Sequence, residues 1–161
     1  MTVRPARRFD RAELLRLRRL LWPDSEEAEV DDVLERPDSL GVLLVAERPN
    51  GTLGGFAEIG LRGYAEGCTT SPVAYLEGIW VDPDVRRSGV GAALVREAER
   101  WAADRGLVEL ASDCDLQNIG SLGFHLGVGF EETQRVICFR RDLTRPLSGK
   151  PLSLPGRRAD A

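Results

Sequence analysis

Hydrophobic positions recur first at helical spacing along this chain and then at strand spacing. Leu14, Leu17 and Leu21 fall on one face of a periodic segment over 10–22, and Pro23 marks its stop. Asp10 followed by Glu13 has the spacing of a capping box at the start of that helix. A second, shorter helical pattern lies near 26–34. "LGVLLVAE" (40–47) and "LGGFAEIGLR" (53–62) read as strands, with Asn50-Gly51 between them as a strong hairpin-turn signal. The stretch 63–72 reads as loop, and "VAYLEGIWV" (73–81) as a strand closed by Asp82-Pro83.

The segment 85–106, "VRRSGVGAALVREAERWAADRG", puts a glycine turn ahead of a helix. Val90, Leu94, Ala98 and Trp101 form its apolar stripe, and Gly106 is placed to end it. "VELAS" (108–112) reads as a short strand, 118–127 as a helix and "RVICFRR" (135–141) as a last strand. From Pro146 onward Pro, Ser, Gly and Arg dominate, which predicts a flexible tail over 146–161 behind a single domain over 1–145. There is no internal repeat. The order is helix, antiparallel strands, then strand–helix–strand–helix–strand. It predicts a mixed α/β domain with one parallel crossover and a ligand near the end of strand 73–81.

Composition narrows the function classes. At 161 residues the chain is long enough for one domain with a core, and 42% hydrophobic with 30% charged residues is ordinary for a globular protein. A formal net charge of −4 argues against a broad nucleic-acid or membrane surface, and it suits a cationic small molecule. Cys68, Cys114 and Cys138 are odd in number and lack C-x-x-C spacing, and His125 is the single histidine, so no metal site is expected. These read as reduced thiols in a cytoplasmic protein. The N-terminal segment has no uncharged run long enough for a signal-peptide core or a membrane helix.

Chemistry enters with Arg86-Arg87-Ser88-Gly89-Val90-Gly91. Glycines allow a tight turn, after which the free N–H groups of the helix's first turn and the helix dipole favour a phosphate or pyrophosphate. No G-K-[S/T] follows, so this is not a Walker A loop, and Leu94 stands where a dinucleotide fingerprint has its third glycine. Taken alone, the loop reads equally as a glycine turn feeding an ordinary helix.

With its context the loop says more. R-x-x-G-x-G after a strand ending in V-D-P resembles the acyl-coenzyme A pyrophosphate loop of GNAT N-acetyltransferases, and "GVGF" (127–130) is similar to that fold's G-F signature. "LW" (21–22), "SPVAYLEGIWV" (71–81), "RRSGV" (86–90), "ASD" (111–113), Asn118 with Ser121 and His125, and "GFEET" (129–133) resemble, in order and spacing, the aminoglycoside 6′-N-acetyltransferases over roughly residues 1–143.

That resemblance implies a GNAT fold and transfer of an acetyl group from acetyl-CoA to a primary amine, foremost the 6′-amine of an aminoglycoside. Direct attack in a ternary complex is expected. It implies that Arg86, Arg87, Ser88, Gly89, Val90, Gly91 and Ala92 hold the pyrophosphate. The backbone of Ile79, Trp80 and Val81 pairs with the pantetheine like an added strand, and Asn118 contacts the same arm, although Asn118 also reads as a helix start. Attack on a thioester needs a neutral amine. Glu77 is therefore expected to take the amine's proton or orient it, against the reading of a strand glutamate paired with an arginine. Asp113 is implied to bind the cationic acceptor, against a turn or helix cap. Trp22, Tyr64 and Gln134 line the acceptor cleft by the same resemblance, with Ser25 at its rim. Two departures stand out. His125 occupies the place where many GNAT enzymes have a thiolate-protonating tyrosine, and it reads either as that acid or as a packed helix histidine. Gln134 replaces a glutamate, which should weaken the hold on a polycation. A homodimer using 135–141 is implied as well. The rival readings are a GNAT enzyme acting on another polyamine or a protein amine, and a non-catalytic acyl-CoA-binding regulator.

Overall fold

Apolar runs as continuous as those at 41–47, 53–59 and 73–81 need cover on both faces of a sheet. A computed structural model describing residues 1–144 shows how it is supplied. The sheet has five strands in the order β1 (Thr2–Pro5), β2 (Gly41–Glu47), β3 (Leu53–Arg62), β4 (Val73–Val81) and β5 (Leu110–Ser112). Neighbours are antiparallel from β1 to β4, and β5 joins β4 in parallel. This is the mixed, mostly antiparallel α/β architecture that the order of segments predicts.

Helices α1 (Arg11–Leu21) and α2 (Glu27–Glu35) cover one face. There Leu14, Leu17, Val30 and Val33 pack on Leu43, Val45, Leu53 and Phe56. Helix α3 (Val90–Ala103) covers the other, placing Val90, Leu94, Val95, Ala98 and Trp101 on Val42, Leu44, Ala57, Ile59, Ala74 and Leu76. Helix α4 (Ile119–Gly127) follows β5. The Asn50-Gly51 turn forms as predicted: Gly51 takes φ +85°, and Asn50 Oδ1 accepts the amide of Thr52 at 3.2 Å. Gly106, at φ +72°, ends α3: its amide bonds the carbonyl of Ala103, and the amide of Leu107 bonds that of Ala102.

Three features differ from the sequence expectation. β1 is a strand too short and polar to be legible; it exists through its ladder with β2 and through Arg4, whose Nε lies 2.6 Å from Glu47. The segment 135–141 forms no strand, and Ile137 and Phe139 are 78% and 92% exposed. A strand exists only through a neighbour's backbone, and no described strand lies beside this segment. The expected tail over 146–161 lies outside the described residues.

The third difference is the capping box at Asp10 and Glu13, which does not form. Asp10 makes no side-chain cap on α1. It is buried, and its carboxylate takes both guanidinium nitrogens of Arg4 at 2.7 and 2.8 Å and the Arg7 amide at 2.7 Å. An ion pair available to a buried carboxylate outweighs a cap to its own helix, and this one ties β1 to the start of α1. Burial alone would raise the Asp10 carboxyl pKa; the Arg4 guanidinium and the Arg7 amide outweigh it and hold the group below the ordinary aspartate value.

Asp10→Ala leaves the largely buried Arg4 only Glu47 as a carboxylate partner and the Arg7 amide without its acceptor, so it is expected to lower unfolding stability by about 2 kcal/mol. Because the native pKa is depressed, the wild-type contribution is present above the unfolded aspartate value and is lost as pH falls through the native one. Urea unfolding at neutral and acidic pH measures both. An unchanged midpoint in the variant would contradict this role.

Candidate active site

β4 pairs with β3 to its last residue, but with β5 only over Ala74, Tyr75 and Leu76. Beyond Leu76 the two parallel strands part, so one edge of residues 77–81 has no strand partner. Such an edge presents backbone donors and acceptors to an extended ligand. The parting coincides with a bulge. Glu58 stands opposite Gly78 and Ile59 opposite Leu76, which leaves Glu77 as the extra residue. Ala74 and Leu76 face α3 before the bulge, and Ile79 and Val81 pack against the same core after it. Glu77 and Gly78 therefore both turn to the α1 face.

On that face Trp22, just past the end of α1, lies directly over Gly78. A Cβ at residue 78 would sit 2.3 Å from the ring, so only glycine fits there. The indole is tilted on Phe56 with centroids 6.0 Å apart, and the Arg18 guanidinium lies 4.6 Å from its centre. Arg18 in turn bonds the Glu58 carboxylate, and both side chains are 8% exposed. Arg36 reaches the second oxygen of Glu58 at 3.2 Å. Ser25, expected at the rim of the cleft, is buried instead; its hydroxyl accepts from Arg18 at 3.2 Å and donates to Glu29 at 2.7 Å. Above this network opens a cleft of about 710 Å³ lined by Arg18, Trp22, Arg36, Glu58, Gly60 and Glu77.

Glu77 is about one third exposed, and Gly60 leaves its carboxylate room: a Cβ there would lie 3.1 Å from Oε1. Both carboxylate oxygens are engaged by Arg62, at 3.0 Å from Nε and 2.5 Å from Nη2. The alternative of a strand glutamate paired with an arginine thus describes the free state of this residue. The Arg62 guanidinium lies 3.4 Å from the centre of the Tyr75 ring, and Asp113, exposed just past β5, is close enough to Tyr75 for its charge to act on the phenol. Burial foremost, and the charge of Asp113 after it, push the Tyr75 phenol up to about 12. Arg62 and Tyr75 therefore stand between the two carboxylates singled out in the sequence.

Past β4 the chain makes the predicted glycine turn. Arg87 takes φ +59° and Gly89 φ +86°, the left-handed region that a tight reversal requires. The turn feeds α3 so that the first-turn amides of Val90, Gly91 and Ala92 have no partner within the helix. Ser88 Oγ closes the turn on the Val85 carbonyl at 2.7 Å. Arg86 bonds the carbonyl of Val81 at 2.8 Å and lies over Trp80, 4.8 Å from the ring centre. Arg87 and Ser88 are exposed. Gly91 is required for a different reason: a Cβ there would lie 2.7 Å from the ring of Phe124, which brings α4 against the start of α3. The backbone turn, the amides and the exposed arginine suit a phosphate-bearing ligand.

Asn118 caps α4, accepting the Ser121 amide at 3.0 Å. His125 packs edge-on between Phe124 and Phe130. Its Nδ1 lies 2.8 Å from the Ser121 carbonyl and its Nε2 3.0 Å from Ser112 Oγ. The carbonyl requires a proton on Nδ1, and Nε2 faces Ser112 Oγ, whose hydroxyl also lies 3.1 Å from the Leu76 carbonyl. Tyr64 is 66% exposed, and Gln134 is exposed in the segment after α4; neither lines the cleft. Their two segments do meet, through Thr133, which donates to the Glu66 carbonyl at 3.2 Å. Among the described residues, no three His, Cys, Asp or Glu side chains gather as a metal ion would need.

Sequence reasoning missed Arg18, Arg36, Glu58 and Arg62. Arg18 carried a signal, because it lies at helical spacing between Leu14 and Leu21 on the face that packs inward. Glu58 carried another, as a carboxylate in the middle of an otherwise apolar strand.

Comparison with known proteins finds relatives of this chain in family, sequence and fold. The family model described as the acetyltransferase (GNAT) family matches residues 11–130. An aminoglycoside N(6′)-acetyltransferase type 1 of Klebsiella aerogenes is 44% identical over 149 residues, 88% of this chain and 96% of the relative. The crystal structure of aminoglycoside antibiotic 6′-N-acetyltransferase AAC(6′)-Ih from Acinetobacter baumannii superposes with a TM-score of 0.82 at 35% identity, covering 88% of this chain and 98% of that one. AAC(6′)-Iy in complex with the bisubstrate analogue CoA-S-monomethyl-acetylneamine gives 0.81 at 34%, covering 88% and 97%.

Gly78→Ala is expected to push the Trp22 ring off β4, costing about 1–3 kcal/mol as overpacking and altering the tryptophan emission spectrum. Thermal denaturation and fluorescence test this. Unchanged stability and spectrum would contradict the contact.

Proposed function

Because the chain belongs to the GNAT acetyltransferase family, we propose that it transfers the acetyl group of acetyl-CoA to the 6′-amine of an aminoglycoside. The observation that carries this reading is the bulge of β4. It sets the Glu77 carboxylate in the acceptor cleft at the point where the open edge of residues 78–81 begins. The acetyl donor and the amine then meet on the two sides of one strand.

Each element has a role in this reading. The turn over 86–92 and the first amides of α3 hold the pyrophosphate of the donor. The backbone of Ile79, Trp80 and Val81 pairs with the pantetheine arm, Asn118 flanks it, and a β4 amide is aimed at the thioester oxygen. Bound there, the thioester supplies an activated acetyl group. Glu77 accepts the proton that the ammonium must lose before its nitrogen attacks, directly or through one water. Attack is direct within a ternary complex. Trp22 forms the apolar wall beneath the sugar, and Asp113 binds a second ammonium. His125 is the candidate proton donor to the leaving thiolate: as the imidazolium it gives its Nε2 proton to Ser112 Oγ, whose own proton passes to the sulfur.

The exposed Ile137 and Phe139 fit a homodimer, with 135–141 completing a strand against a second copy. Unpaired Cys68, Cys114 and Cys138 fit the reducing cytoplasm, and no described helix is long and apolar enough to cross a membrane.

Steady-state assays with acetyl-CoA against kanamycin and tobramycin, with spermidine and peptide amines beside them, test the assignment. Aminoglycosides are expected to be the preferred acceptors, and no transfer to any of them overturns it. Glu77→Gln is expected to reduce kcat by about a hundredfold or more while coenzyme A still binds; unchanged turnover would remove the proton-accepting role. Light scattering after size exclusion is expected to give a dimer that Phe139→Asp dissociates. A wild-type monomer at micromolar concentration contradicts the dimer.

A further inference from the structure

The carboxylates that face the acceptor cleft are already charge-compensated. Glu58 lies between Arg18 and Arg36, and Glu77 is held at both oxygens by Arg62. These two arrangements differ in kind. Arg18 and Glu58 are 8% exposed and fixed beneath Trp22, whereas Arg62 is 43% exposed and its side chain can swing out without unpacking the core. The site of Arg62 is also specific. Its guanidinium lies 3.4 Å from the centre of the Tyr75 ring, and the charge of Asp113 acts on the same phenol. It thus sits on one of the carboxylates assigned to the acceptor, and one aromatic ring away from the other.

An ammonium delivered to Glu77 needs the same two oxygens that Arg62 occupies. Glu58 shares its two oxygens between two guanidiniums, whereas Arg62 alone takes both oxygens of Glu77, so an ammonium can bond that carboxylate closely only as Arg62 gives up at least one of them. We propose that Arg62 is an internal stand-in for the acceptor's ammonium, holding Glu77 in the free enzyme and yielding it only to an amine that arrives with its own positive charge. The inference rests on the aminoglycoside reading above and adds a charge-exchange step to it. Arg62 is in this sense a specificity-determining residue. A neutral amine brings no charge to replace the guanidinium, whereas a polycation exchanges charge for charge. Tyr75 keeps the displaced guanidinium at the rim by offering its ring face at little solvation cost.

Calorimetric titration of kanamycin into the protein saturated with coenzyme A tests this without relying on turnover. A half-exposed ion pair is weak enough that its loss should tighten kanamycin binding about two- to fivefold in Arg62→Gln. Arg62→Lys, which keeps the charge but not the two-point grip, should fall between that variant and wild type. The tightening should vanish when Arg62→Gln is placed on Glu77→Gln, because the competition is for that carboxylate; a merely structural role of Arg62 would not give this dependence. Unchanged or weaker binding in Arg62→Gln overturns the inference, as does tightening that persists without the Glu77 charge. Wild type binding no aminoglycoside would instead overturn the acceptor assignment on which it rests.

Discussion

The bulge at Glu77 is the constraint on which the site depends. A regular β4 would alternate faces without interruption, which would put Gly78 and Trp80 on the α3 face with Ala74 and Leu76 and turn Ile79 and Val81 away from it. One unpaired residue resolves this. Ile79 and Val81 return to the core, while Glu77 and Gly78 both face α1. The carboxylate then points into the cleft, and the missing side chain of Gly78 admits Trp22. Past the same residue β5 no longer accompanies β4, which opens the strand edge.

What surrounds the bulge is a set of charges placed at different depths. The Arg18–Glu58 pair is buried, and desolvation offsets much of its attraction, so its value lies less in stability than in fixing a position. It holds a guanidinium under Trp22 and anchors Ser25 and Arg36 from two neighbouring elements. The Arg62–Glu77 pair is shallower, and in the proposed reading it is the one that exchanges. A rigid floor and a mobile cation at the rim suit a cleft that must admit polycations and keep one carboxylate in a defined place. Gln134, where the resemblance implies a glutamate, leaves the segment next to the Tyr64 loop one negative charge fewer, so in the proposed reading more of the selection rests on Glu77 and Asp113.

Much of the fold was legible because its signals are local. Leu14, Leu17 and Leu21 at helical spacing, the Asn50-Gly51 turn, and the stripe from Val90 to Trp101 each determine an element without reference to the rest of the chain. The glycine turn at 86–91 was legible too, although the sequence could not reveal that Gly89 serves the backbone and Gly91 makes room for Phe124. The illegible features are those that depend on distant partners. Asp10 looked like a cap until Arg4 lay beside it. The apolar alternation of 135–141 promised a strand that no described neighbour completes. The bulge was hidden because "VAYLEGIWV" is apolar on both faces, so a shift of phase leaves almost no trace; only Glu77-Gly78 interrupts the run. The pairing of Glu77 with an arginine was weighed from sequence, but nothing local pointed to Arg62, fifteen residues away along an antiparallel hairpin.

The most direct test of the central claim, that the bulged carboxylate and the open strand edge bring amine and acetyl donor together, is a crystal structure of this protein with a coenzyme A–aminoglycoside bisubstrate analogue. The amide nitrogen that mimics the attacking amine should lie within about 2.6–3.2 Å of Glu77, or one water from it. The pantetheine should pair with the backbone of residues 79–81, and Arg62 should be withdrawn from the carboxylate. An analogue whose amide nitrogen lies away from Glu77, with the Arg62 pair intact, would contradict it.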